Sequence, residues 1–248
     1  MGRRKGRVCL VLAGWLAGIF PGAAQSPTLS PATTRQQAGL VDIQSVVKGI
    51  DLDMRYFGSH NFVGRPITGY LAPRCWLKPE AAAALARVEL ALRRRHQRLR
   101  IFDCYRPARA VAEFVRWMAD PTDLVGKAEF YPGLDKSQLS GTYIAPVSGH
   151  SRGATVDLTI LQCNAEGAEC QPLDMGTPID ATPEASRGAC CFDAPNIDAE
   201  ARARRHPLAS CLEPEGIVNY PTEWWHWSYG DRYWAFSTGQ ATAIYGPR

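Results

Sequence analysis

Residues 148–160 read S-G-H-S-R-G-A-T-V-D-L-T-I, and the two halves of that stretch behave differently. In the second half Val156, Leu158 and Ile160 fall on one face and Thr155, Asp157 and Thr159 on the other. Period-two alternation with β-branched residues marks a strand. The first half is a turn in which Gly149 and Gly153 bracket His150, Ser151 and Arg152, so the histidine can fold back against the strand carrying Asp157. Working outward, Leu99–Cys104 (L-R-I-F-D-C) also alternates and reads as a strand. Pro79–Arg95 opens on proline and repeats Leu85, Val88 and Leu92 at helical spacing, and its basic end suits the negative pole of a helix. Arg106-Pro107 turns into a second helix over Ala108–Ala119, a third lies near Asp198–Leu212, and an aromatic strand is expected around Glu223–Tyr229. Helices and non-adjacent strands in this order predict an α+β fold, a small mainly antiparallel sheet covered by helices.

The 248 residues are 46% hydrophobic and 21% charged, an ordinary globular composition that excludes collagen-like, coiled-coil and wholly disordered chains. The net charge of +4 comes from Arg3, Arg4, Lys5 and Arg7; without them, 24 basic residues face 24 acidic ones. A nucleic-acid binder carries a basic excess, so nucleic acid is not an expected partner. The basic start, the apolar run Val8–Phe20 and the small residues Gly22, Ala23 and Ala24 read as a secretory signal over residues 1–24. That run has 13 residues, short of the ~20 that span a bilayer, so no stable membrane insertion is expected after cleavage. Residues 25–40, rich in Ser, Thr, Pro and Gln, read as a flexible tether, and residues 41–248 as one domain. The expected location is periplasmic or secreted.

Cys9 leaves with the leader. Cys75, Cys104, Cys163, Cys170, Cys190, Cys191 and Cys211 remain, five of them between 163 and 211. An exported chain meets an oxidising compartment, so disulfides are expected, bracing a long loop over 161–197. No pair has the spacing of a structural zinc site, and an odd count leaves at least one thiol outside any intramolecular pair.

Of five histidines, His96 and His206 sit in basic, solvent-facing surroundings. His150 has Asp157 within its own motif, and His226 has Glu223 in E-W-W-H. Two histidines and a carboxylate form a recurring catalytic zinc shell with an open fourth position, and a nearby carboxylate such as Glu223 can act as base. For Glu223 and His226 to converge, E-W-W-H must be bulged or turned, since strand residues three apart face opposite ways. The alternative is a pair of hydrogen-bonded core histidines. Arg106 ends a strand at a turn, where it can stabilise an oxyanion or pair with a buried carboxylate such as Asp103. Residues 149–153 (G-H-S-R-G) also match a nucleophile elbow on Ser151, but an elbow needs a strand before it and a helix after it, and a strand follows here. The aromatic cluster Trp224, Trp225, Trp227, Tyr229, Tyr233 and Trp234 reads first as core and second as a carbohydrate or peptide platform.

The combination resembles the D-alanyl-D-alanine dipeptidases of the VanX type. The resemblance rests on S-G-H-S-R-G-A-T-V-D-L-T and E-W-W-H-W, joined in order by D-M-R-Y (53–56), N-F-V-G-R-P (61–66), D-C-Y-R-P-A-R-A-V (103–111) and M-G-T-P-I-D (175–180). It spans about residues 41–235. It implies a zinc peptidase that hydrolyses D-Ala-D-Ala, with the fold shared by D-Ala-D-Ala carboxypeptidases and the hedgehog signalling domain. His150, Asp157 and His226 would then hold one zinc ion, Glu223 would be the general base, and Arg106 would stabilise the oxyanion. Ser148, Asp180 and Tyr56 match positions lining the dipeptide pocket, with Ser148 and Asp180 near the substrate ammonium, and Ser151 becomes a structural turn residue. Two features depart from the pattern: Cys104, where a small residue is expected beside the arginine turn, and the 163–211 cysteines around Asp180. The other readings are a D,D-carboxypeptidase on peptidoglycan stem peptides, a non-catalytic zinc-containing wall-binding module, and the serine hydrolase. An exported enzyme suits cell-wall peptide turnover or salvage.

Overall fold

A computed structural model describes residues 32, 34–141, 143–182 and 188–240; the predicted signal segment and residues 25–31 of the tether lie outside them. Residues 34–40, assigned above to the tether, instead form hydrogen-bonded turns. The Ala38 and Leu40 amides donate to Thr34 and Arg35 carbonyls, and both side chains are buried. The reason is local: these are the apolar residues of a polar stretch. Leu40 packs so close to Gly153 that a Cβ there would come within 2.6 Å of Leu40 Cδ2.

Strand β1 (Val41–Asp42), helix α1 (Ile43–Val46) and strand β2 (Asp51–Leu52) lead to β3 (Trp76–Leu77), which pairs with β1. Helix α2 (Pro79–Arg93) follows, with proline in its first turn where no amide partner is lost. Next come β4 (Gln97–Asp103), α3 (Ala108–Ala119), α4 (Lys127–Phe130), β5 (Thr155–Cys163) and β6 (Cys170–Pro172). The chain closes with α5 (Ala199–Leu212), β7 (Val218–Asn219), β8 (His226–Ser228) and α6 (Arg232–Thr238). The main sheet runs β2-β4-β5-β8-β7, with β6 also on β5. Among the described pairings of this sheet only β2–β4 is parallel, which fits the mainly antiparallel sheet expected.

Strand β5 is the axis of the fold. Of its nine residues only Gln162 is exposed, and β4 covers one edge while β8 and β6 share the other. One hydrophobic cluster joins α2 and α5 to the sheet; a second gathers Tyr56, Val63, Phe114, Trp117, Phe130 and Tyr131 around α3. Buried Glu89 ties α2 to β4, accepting from the Leu99 amide at 2.7 Å and from Arg93 at 2.9 Å.

Two sequence expectations change. The aromatic strand is shorter than 223–229: Glu223–Trp225 form a turn and β8 starts at His226. Trp224, Trp225 and Trp227 are buried, as the core reading expected, and Trp225 also lines a cavity. In the 161–197 loop Cys163–Cys170 closes the β5–β6 hairpin, and a second disulfide joins Cys75 to Cys104.

Candidate active site

The register of three strands builds the site. Asp157 of β5 lies opposite His226 of β8 and Asp103 of β4, so the three residues form one row across the sheet. The β4–β5 pairing steps from Ile101–Leu158 to Asp103–Asp157, placing a bulge at Phe102. Without that extra residue Asp103 would face the other side of the sheet.

His150 reaches the row from the 3-10 turn Gly149–Arg152, whose Ser148 cap accepts the His150 amide at 3.2 Å. Gly149 is required here, because a Cβ would fall 2.7 Å from the Asp231 carboxylate. His150 Nδ1 donates to the Cys104 carbonyl at 2.8 Å, which fixes the tautomer and turns Nε2 inward. Nε2 lies 3.3 Å from Asp157 Oδ2 and 3.4 Å from His226 Nδ1. His226 Nδ1 in turn lies 3.2 Å from Asp157 Oδ1 and 3.3 Å from Glu223 Oε2.

One nitrogen or oxygen from each of His150, Asp157 and His226 falls within 4.8 Å of the others. Asp157 Oδ1 is buried and accepts no hydrogen bond from the described residues, although His226 Nδ1 is close. An orphaned buried carboxylate oxygen is costly unless something binds it. The donor set of two imidazoles and a carboxylate fits a divalent transition metal. The electrostatics agree. Burial alone would raise the Asp157 carboxyl, but His150 and His226 outweigh it and hold it well below the usual range. His226 is pushed up to about 10: burial opposes its charge, and Asp157 and Glu223 overcome that. The cluster therefore favours positive charge at its centre, the demand a cation meets.

Arg106 donates from Nε (3.0 Å) and Nη2 (2.8 Å) to Asp103 Oδ2, while Tyr70 donates to Asp103 Oδ1 at 2.8 Å. The guanidinium lies 4.8 Å from the Tyr56 ring centre and 5.3 Å from that of Phe114, with Nη2 3.8 Å from Asp157 Oδ2. Arg106 thus pairs with buried Asp103, as one reading expected, and it also lines the cavity. Tyr56 donates to the Asp180 carboxylate at 3.2 Å. Asp180 has a left-handed backbone (φ 62°), and burial, with Asp157 and Glu223 nearby, pushes its carboxyl up to about 7. All eight residues singled out in the sequence (Tyr56, Arg106, Ser148, His150, Asp157, Asp180, Glu223 and His226) line one cavity of about 870 Å³.

Ser151 donates to the Arg106 carbonyl at 2.8 Å and is followed by β5, so neither its hydroxyl nor its surroundings suit a nucleophile elbow. Several positioning residues escaped sequence reasoning. Asn219 Nδ2 donates to the Glu223 and His226 carbonyls at 3.0 and 3.1 Å, holding the E-W-W-H turn closed. Buried Asp231 accepts from Thr155 and Ser228, both at 2.8 Å, and so ties β5 to β8 beside the site. Its one sequence signal is its place as the cap of α6. Buried Arg205 donates to the Met175, Ala189 and Cys191 carbonyls, so an arginine on α5 braces the segment carrying Asp180.

Over residues 36–241 the chain matches the M15 peptidase family, described as D-Ala-D-Ala dipeptidase. It is 37% identical over 188 residues to a D-alanyl-D-alanine dipeptidase of Streptomyces coelicolor, covering 75% of this chain and 89% of the relative. A D-alanyl-D-alanine dipeptidase of Enterococcus faecium is 32% identical over 196 residues (79% and 93% covered). One of Enterococcus faecalis is 32% identical over 206 residues (80% and 98%).

Proposed function

The chain belongs to the M15 metallopeptidase family of D-Ala-D-Ala dipeptidases, and from that premise we propose that it uses one zinc ion to hydrolyse D-alanyl-D-alanine to two D-alanines. The observation that carries the reading is the convergence of buried His150 and Asp157 with half-buried His226 around a carboxylate oxygen that accepts no hydrogen bond from the described residues, with Glu223 beside it. Two imidazoles and one carboxylate with an open position are the protein side of a catalytic zinc site. Bound there, zinc supplies Lewis acidity and makes a water acidic near neutral pH.

The chain's own residues do the rest. Glu223 takes a proton from the attacking water and returns it to the leaving amine. Arg106, half-buried and kept charged by Asp103 against desolvation, donates to the carbonyl oxygen as negative charge develops on it. Asp180, aligned by the Tyr56 hydroxyl, faces the substrate ammonium, and Ser148 lines the same wall while capping the His150 turn.

The test is D-alanine release from D-Ala-D-Ala by the purified chain, before and after chelation and with zinc restored. Chelator-sensitive, zinc-restored release is expected; release indifferent to chelation overturns the metal assignment. The cavity lies within the roughly 300–1,000 Å³ that holds a drug-sized ligand, more than two alanines fill. That observation favours a second reading, a D,D-carboxypeptidase on stem peptides. Faster cleavage of a pentapeptide ending in D-Ala-D-Ala than of the dipeptide would establish it. A non-catalytic wall-binding module is disfavoured by Glu223 and Arg106, both turned to the cavity.

A pH dependence follows from Asp180. Burial, with Asp157 and Glu223 nearby, pushes its carboxyl up to about 7, and a cation held by Asp157 would lower that midpoint. A raised carboxyl pKa means the anion that binds an ammonium forms only as pH rises. KM is therefore expected to fall as pH climbs toward 7, and Asp180→Asn to raise KM and flatten this slope with little change in kcat. An unaltered pH–KM profile in Asp180→Asn would remove Asp180 from the pocket.

The leader supports action outside the cytoplasm, in the periplasm or secreted, in salvage or turnover of wall peptides. Cell fractionation tests this, and a cytoplasmic pool of uncleaved protein would reverse it.

A further inference from the structure

Cys104 follows the last residue of β4 and stands two residues before Arg106, and its disulfide partner Cys75 immediately precedes β3. Both cysteines are fully buried. The Cys104 carbonyl is the acceptor that orients His150 through Nδ1. The backbone around it forms a clasp with the His150 turn: the Arg106 amide donates to the His150 carbonyl at 3.3 Å, and Ser151 Oγ donates to the Arg106 carbonyl at 2.8 Å. The Cys75–Lys78 segment backs both halves of that clasp. The Tyr105 amide donates to the Trp76 carbonyl at 3.1 Å, and the Lys78 amide to the Gly153 carbonyl at 2.6 Å. The Cys75 carbonyl is itself anchored by the Ile43 amide at 3.0 Å.

We propose that the Cys75–Cys104 disulfide is a positioning device for the metal site, fixing the carbonyl that aims His150 Nε2 at Asp157 and His226. A disulfide fixes the distance between two backbones that hydrogen bonds alone let breathe. If the Cys104 carbonyl drifts, the Nδ1 hydrogen bond lengthens, the ring is free to rotate, and Nε2 leaves the cluster. Groups that orient a metal ligand typically change metal affinity about 10–100-fold when lost. The Cys163–Cys170 disulfide sits at the far end of β5 from Asp157 and holds no partner of a proposed metal ligand among the described residues.

The inference rests on the metal reading above, and its test separates the two. Zinc affinity is measured by competition with a chromophoric chelator for the wild-type chain, Cys75→Ala/Cys104→Ala and Cys163→Ala/Cys170→Ala, with folding followed by circular dichroism. The expected result is zinc binding about ten-fold weaker in the Cys75/Cys104 variant and within two-fold of wild type in the Cys163/Cys170 variant. A folded Cys75/Cys104 variant with wild-type zinc affinity and only a lower Tm makes the disulfide a structural staple and overturns the inference alone. A wild-type chain that binds no zinc overturns the metal reading and the inference with it.

Should the Cys75/Cys104 variant fail to fold, linkage supplies a measurement on the unmutated chain. If the disulfide tightens zinc binding, zinc must protect the disulfide by the same factor. Equilibration in glutathione redox buffers at fixed free zinc, followed by alkylation and mass spectrometry, is then expected to need an about ten-fold higher ratio of squared reduced to oxidised glutathione to open Cys75–Cys104 when zinc is bound, with Cys163–Cys170 unmoved. Equal shifts for the two bonds, or none, refute the proposal.

Discussion

Glu223→Ala is expected to lower kcat by about 10²–10⁴-fold, the range of a lost general acid–base group, while leaving the protein loaded with metal. The split follows from geometry. Glu223 lies 3.3 Å from His226 Nδ1, yet the three-residue cluster that closes around a common centre is His150, Asp157 and His226. The Glu223 side chain is 24% exposed and turned to the cavity, where the attacking water can reach it, whereas Asp157 is buried at 3%. Removing Glu223 takes a proton acceptor from the cavity wall without opening the cluster. Removing Asp157 does the opposite: Asp157→Ala leaves two adjacent imidazoles with no anion between them, and bound metal should disappear along with activity. Metal content by atomic absorption beside kcat on the dipeptide distinguishes the two. Full turnover in Glu223→Ala would sink the assignment of the base.

Much of this site was legible because its parts are local. The His150 turn and the Asp157 strand sit within eight residues, and one alternating pattern fixes which way Asp157 points. E-W-W-H was readable as a bend for the same reason, since both residues could converge only off the strand. What escaped needed partners distant in sequence. The row joining Asp103, Asp157 and His226 depends on a bulge at Phe102; the adjacent apolar pair Ile101-Phe102 breaks the alternation of L-R-I-F-D-C there, but one broken step does not say which strand it pairs with or in what register. Asn219 closes the Glu223–His226 turn from another strand, and a lone asparagine has no pattern to announce it. Cysteine counting gave an odd total but no pairing, so the Cys75–Cys104 bond under the His150 clasp was invisible. The cysteine-rich loop drew attention as the brace of Asp180, yet a buried arginine on α5 holds much of that segment. Polar groups that satisfy distant backbone leave no periodicity behind.

Arg106 joins stability to catalysis, and two substitutions should pull them apart. Asp103 is 1% exposed, and its Oδ2 accepts Arg106 from both Nε and Nη2. Arg106→Ala therefore strands a buried carboxylate, leaving it the Tyr70 hydroxyl on Oδ1 and His150 Nδ1 at 3.5 Å from Oδ2. Breaking such a pair from one side costs about 3–5 kcal/mol, which for a chain of this size lowers Tm by roughly 6–20 °C. Arg106→Lys keeps a cation near Asp103, so most of that stability should remain. The ammonium cannot replace the planar guanidinium that sits against the Tyr56 and Phe114 rings while reaching 3.8 Å from Asp157. If the guanidinium holds the developing oxyanion, kcat should fall by about 10²–10³-fold in the lysine variant, with KM and zinc content little changed. Calorimetry and steady-state kinetics on both variants decide the matter. A lysine variant with wild-type kcat would reduce Arg106 to the counter-ion of Asp103, because charge alone would then suffice and the geometry of the fork would be irrelevant to the reaction.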